Sequence, residues 1–161
     1  MLRSLTSSEA QDLLSSHTIQ QIQHIFELKK RPYDDLILKT VYFGNLCAKG
    51  DIDQIKVIIS NTVPEELETV LNNQCPYLWG GTCLHITAYW NTGDKALALF
   101  ELLVNHGAKM FKDSYGQFPW FKSGYLWITI IEDINLGQRD PEEFNATQER
   151  LKAIYKSPVA P

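Results

Sequence analysis

The chain is poor in the features that mark disulfide scaffolds, membrane spans and nucleic-acid binders. Its three cysteines, Cys47, Cys75 and Cys83, are an odd number with no C-x-x-C spacing. That suits reduced thiols in an intracellular compartment better than a disulfide framework. The longest uncharged apolar run, Tyr125 to Ile131, falls far short of the roughly 20 residues a helix needs to cross a bilayer. Basic residues are in deficit: 15 Lys and Arg against 19 Asp and Glu give a net charge of −4. No basic cluster is denser than Lys29-Lys30-Arg31, which argues against a phosphate backbone as the main partner. That trio closes an expected helix, where cations favour the helix dipole. The first residues hold one arginine, no apolar core and acids by Glu9 and Asp12, so they read as neither a signal nor a transit peptide. Asn145-Ala146-Thr147 matches a glycosylation sequon, which is coincidental without a secretory signal. No G-x-G-x-x-G, Walker A or G-x-S-x-G pattern occurs.

What remains is an ordinary globular composition, 44% hydrophobic and 21% charged. A chain of 161 residues is expected to form one domain and to bury roughly 70% of its unfolded surface, so it needs no staple.

The informative stretch is Gly81-Thr82-Cys83-Leu84-His85-Ile86-Thr87-Ala88. It resembles the T-P-L-H-x-A signature of an ankyrin repeat, with Cys83 standing where proline usually does. Leu102-Leu103-Val104-Asn105-His106-Gly107-Ala108 resembles the way such a repeat ends. Upstream, Leu46 to Ile59 is similar to the helix–turn–helix half of a unit. Cys47 and Ala48 are small, Gly50-Asp51 forms the turn, and Ile52, Ile55, Ile58 and Ile59 fall at helical spacing. Phe43 and Gly44 replace the usual leucine and histidine there. Downstream, Gly116-Gln117-Phe118-Pro119-Trp120-Phe121 resembles a third opening with aromatics substituted, and small Ser123-Gly124 supports the register.

Leu84 to Trp120 spans 36 residues against an ankyrin period of about 33, an excess assigned to a turn lengthened by Asn91-Thr92-Gly93-Asp94. Phe43 to Leu84 spans 41. Pro64 followed by Glu65 and Glu66 predicts an inserted short helix over 64–71 that accounts for the difference.

The flanks read as helical caps. Ser8 to Ser15 and Thr18 to Lys30 carry helical patterns, the second ended by Arg31-Pro32. Asp140 is the expected N-cap of a last helix whose apolar face is Phe144, Leu151, Ile154 and Tyr155. The expected organisation is all-α, an ankyrin-repeat-like helical solenoid of about three helix–turn–helix units with short finger loops. Residues 1–33 form the N-terminal cap, 34–136 the units and 137–161 the C-terminal capping helix.

Few residues invite chemistry. The resemblance implies that His85 bonds to the backbone of the adjoining finger and orients it. Cys75, Cys83 and His85 match no common zinc spacing, and small buried thiols are the expected alternative. His17 and His24, seven apart, read as solvated cap residues. A Cys–His pair with Cys47 or Cys75 remains open, since such pairing is spatial. No metal, cofactor, membrane or small-molecule substrate is expected.

The resemblance places binding on the finger tips and the exposed positions of the inner helices. Position by position, these are Leu78 and Trp79 with Tyr89 and Trp90 in the second unit, and Ser114, Tyr115, Gln117, Tyr125 and Leu126 in the third. Ala48 and Lys49 come from the first. Tyr and Trp at such positions resemble an interface hot spot, whereas Trp120 and Phe121 are expected in the core. The expected function is non-catalytic binding of another protein, as an adaptor, inhibitor or targeting subunit in a reducing cytoplasm. Short divergent chains of this kind look like those of large DNA viruses or intracellular bacteria, whose partner would be a host protein or a protein encoded beside them. Two other readings stand beside it: a subunit of a larger assembly, and an enzyme with active residues in 1–33 or 128–161.

Overall fold

In a computed structural model, the described residues are Leu13, Ser16, 18–75, 80–120 and 141–156. They are all-helical, with seven helices and no strand among them. In chain order these are α1 (Ile19–Leu28), α2 (Asp35–Lys49), α3 (Ile52–Asn61), α4 (Pro64–Leu71), α5 (Cys83–Trp90), α6 (Gly93–Asn105) and α7 (Pro141–Lys156).

Local chemistry sets the helix ends. Thr18 and Gln21 form a reciprocal capping box at α1. The Asp34 carboxylate accepts from the Ile37 N–H at α2, and Asp51 accepts from Gln54 N–H at α3. Pro64 opens α4 with acids behind it, as its fixed φ and missing N–H favour. Gly50 ends α2 in the left-handed conformation at φ 67°. There the N–H groups of Gly50 and Asp51 return to Cys47 and Leu46 oxygens, which satisfies the last turn.

Two-residue links, Gly50-Asp51 and Asn91-Thr92, join α2 to α3 and α5 to α6. The second link corrects the expectation of a lengthened turn, because Gly93 and Asp94 already belong to α6. The extra length lies in α6, which has 13 residues against 10 in α3. Asn91 is committed to packing: its Nδ2 donates to the Cys47 and Thr87 oxygens, locking the end of α5 to the end of α2.

The most extensive interhelical packing joins α2 and α5. Gly44 lies in this contact, where an added Cβ would stand 2.7 Å from Ile86 Cδ1. The main core gathers Phe43, Leu46, Cys47, Ile55, Leu71, Leu84, Tyr89, Leu99, Phe100 and Leu103 from α2 to α6, with Phe144 and Leu151 of α7. A smaller cluster joins α1 to α2 through Ile22, Phe26, Leu38 and Val41, with Leu13 and Cys75. Each fully buried aliphatic or Phe side chain contributes about 1.5–3 kcal/mol.

The flanking helices close this core. α1 packs on α2 and α7 on α6. Gln148 Nε2 donates to the Ala88 oxygen, and the Gly93 N–H donates to Thr147 Oγ1, so α7 also reaches α5. Arg150 adds an ion pair with Asp94. Thr147, the last residue of the sequon, is buried. Of the expected helix at 8–15 only Leu13 is described, and the Asp140 cap and His17 lie outside the described residues.

Candidate functional site

The site grows from His85. Its ring is fully buried in the first turn of α5. The Thr82 N–H donates to His85 Nδ1 at 3.1 Å, which fixes the proton on Nε2. Nε2–H then donates to the Gln117 oxygen at 2.9 Å, and this bond ties α5 to the loop that follows α6. Burial pushes the ring's pKa down, against the Gln117 carbonyl and the Asp113 charge, which push it up. The histidine is a neutral brace.

Residues 109–120 form the finger that this brace holds. The Asp113 N–H donates to the Gln117 oxygen and the Gly116 N–H to the Asp113 oxygen, closing a tight turn with Gly116 at φ 76°. Asp113 Oδ1 accepts from the N–H groups of Tyr115 and Gln117, the local bonding that favours Asp in turns. Two amides from the preceding chain suspend the finger. Asn72 Nδ2 donates to the Gly107 oxygen and Asn72 Oδ1 accepts from the Lys109 N–H. Gln74 Nε2 donates to the Lys112 oxygen. Beside it, the Cys75 and Gly81 backbones pair in an isolated antiparallel bridge.

With its backbone fixed this way, the finger holds aromatic rings in solvent. Tyr115 is 47% exposed, and Phe111 and Phe118 are each 36% exposed. Phe118 stacks on Trp120 with ring centroids 5.2 Å apart, and the Lys112 ammonium lies over the Phe118 ring, 5.2 Å from its centroid. A rigid platform of rings rimmed by lysine offers apolar area at little entropic cost on binding.

The expected site residues divide accordingly. Ser114 and Tyr115 are exposed at the finger tip. Gln117 is not presented: it is buried at the finger base, where its side-chain amide has no hydrogen-bond partner among the described residues. Tyr89 is also corrected, because α2, α6 and α7 enclose α5 and leave its ring fully buried. Trp90 is half-buried against the main core and is not a free ring. Ala48 and Lys49 are half-buried and exposed respectively. Leu78, Trp79, Tyr125 and Leu126 lie outside the described residues. Trp120 packs against the core as expected. Phe111 was missed; the available signal was an aromatic between Met110 and Lys112, outside any helical period.

The thiols face the interior. Burial pushes Cys47 up to about 12, with a Thr87 hydrogen bond opposing. It raises Cys83 as well, whose Sγ–H donates to the Leu71 oxygen. All three cysteines are buried and none is in a disulfide, and His85 spends its nitrogens on Thr82 and Gln117. Among the described residues no three His, Cys, Asp or Glu side chains gather as a metal site, and no helix is long and apolar enough to cross a membrane. No protein-family model, curated protein or solved structure matches the chain.

Proposed function

We propose that the chain is a non-catalytic protein-binding module, an adaptor or inhibitor, built as an ankyrin-like stack and gripping its partner through finger loops. The observation that carries this reading is the braced aromatic finger. Phe111, Tyr115 and Phe118 stand a third to a half in solvent on a turn held from below by Asp113, His85, Asn72 and Gln74. Exposed rings on a fixed backbone want a partner surface, and the preorganised loop lowers the entropy lost on docking.

The ankyrin-like build is supported by three features taken together. Helix pairs α2/α3 and α5/α6 are each closed by a two-residue link, α2 and α5 stack on one another, and the histidine of the T-C-L-H motif reaches the next finger. The caps at α1 and α7 then cover ends that a repeat cannot cover alone.

The experiment is affinity capture from the native organism with the wild-type chain and a Phe111→Ala, Tyr115→Ala, Phe118→Ala variant. A partner held by the finger should be recovered at least ~10-fold less by the variant, since hot-spot rings each carry ~2 kcal/mol or more. The variant should melt within a few degrees of wild type, the rings being largely outside the core. A partner recovered equally by both proteins sinks the proposal.

A further inference from the structure

A cleft of about 190 Å³ opens between α1, α2, α3 and α4, and no residue of the finger contributes to it. Ile19, Phe43, Ile58, Leu67 and Val70 give it apolar walls. For scale, a dry cavity of ~150 Å³ lined by aliphatic and aromatic side chains takes up benzene. This cleft therefore has room for one six-membered ring with a short substituent.

The rim decides what the substituent can be. Lys39 of α2 and Glu66 of α4 both line the cleft and pair with one another, each about half exposed. The Thr62 hydroxyl already donates to the Ile58 oxygen, so its proton is committed. An ammonium beside a carboxylate offers a donor and an acceptor together. A hydroxyl can match both, donating to Glu66 and accepting from Lys39. A charged head would satisfy one partner and be repelled by the other, and a bare hydrocarbon would cover the pair without bonding to it.

We infer that this cleft binds a neutral, phenol-sized ring bearing one hydroxyl group. Such a ring buries its carbon face against Phe43, Ile58 and Val70 and keeps its hydroxyl between Lys39 and Glu66. The site is separate from the finger and stands whether or not the finger binds a protein.

The test is a methyl NMR titration of the full chain with p-cresol, toluene, benzylammonium and benzoate, four probes of nearly equal size. With p-cresol the methyls of Ile19, Ile58, Leu67 and Val70 should shift saturably, with a Kd on the order of 1 mM. The other three should bind at least ~5-fold more weakly, consistent with one lost polar match. Lys39→Met and Glu66→Gln, both at the exposed rim, leave the walls intact. Lys39→Met should raise benzylammonium above benzoate, and Glu66→Gln should do the reverse, each erasing the preference for p-cresol. N-acetyltyrosinamide distinguishes two sources of the same ring. Binding at least as tight as p-cresol assigns the cleft to a tyrosine of a partner chain, and weaker binding assigns it to a free phenol. No saturable shift at these methyls overturns the proposal. So does equal binding of p-cresol and toluene or either charged probe, or a preference for p-cresol that survives both substitutions.

Discussion

Lowering the pH from 7.5 to 5.5 should destabilise the fold through His85 in particular. The ring is fully buried and its two nitrogens are already bonded, Nδ1 accepting from Thr82 N–H and Nε2 donating to the Gln117 oxygen. Protonating Nδ1 would abolish the first bond and place a second N–H against a donor. The folded-state pKa is accordingly lowered, chiefly by burial. The unfolded chain, with a histidine pKa near ~6.5, therefore binds more protons than the native one below that pH. His85's contribution is fully present above the unfolded value and is lost as pH falls from there through the lower folded one. One proton limits the slope to ~1.4 kcal/mol per pH unit, so the loss by pH 5.5 is at most about 1.4 kcal/mol. Urea unfolding at both pH values, on wild type and His85→Gln, isolates this term because all other titrating groups are shared. Wild type should lose more than the variant across the interval, by up to about 1 kcal/mol. Equal losses, or a smaller loss in wild type, would refute the account of His85 as a neutral brace.

Other substitutions follow from the same packing. Ala88 is fully buried on α5, with its oxygen accepting from Gln148. Ala88→Asp buries an unpaired charge and should cost several kcal/mol, at least ~3; a soluble variant with an unchanged melting temperature would contradict the α5 placement. Gly50→Ala should cost ~1–2 kcal/mol in chemical denaturation, since the position is left-handed. An added Cβ there would also stand 2.5 Å from Asn91 Oδ1, an atom held in place by the bonds Asn91 makes to α2 and α5. A neutral result would show that this link is loose. Native thiol titration should be silent, because Cys47 and Cys83 are buried and held protonated. In denaturant it should count three free thiols, and a count of one would reveal a disulfide.

Much of the helical framework was legible locally. Pro64 with Glu65 and Glu66 marked α4 to the residue, and the isoleucine spacing marked α3. Gly50-Asp51 marked the turn between α2 and α3. These signals act within one turn of chain, through a fixed φ, a capping carboxylate or one apolar face, so no neighbour is needed to read them. His85 was legible too: the bond expected from it to the backbone of the following loop is made to the Gln117 oxygen.

Exposure was not legible, because it belongs to no single helix. Sequence alone put Tyr89 and Trp90 on an open inner face. In the structure every residue of α5 from Cys83 to Tyr89 is buried, since α2, α6 and α7 enclose it from several sides. Gln117 failed for a related reason: the finger folds its polar base inward around Asp113 and His85, while Phe111 and Phe118, outside any helical pattern, turn toward solvent. Periodicity reports the face a helix would like to bury. Which faces are covered, and which rings are left for a partner, is decided only when the neighbouring elements pack around them.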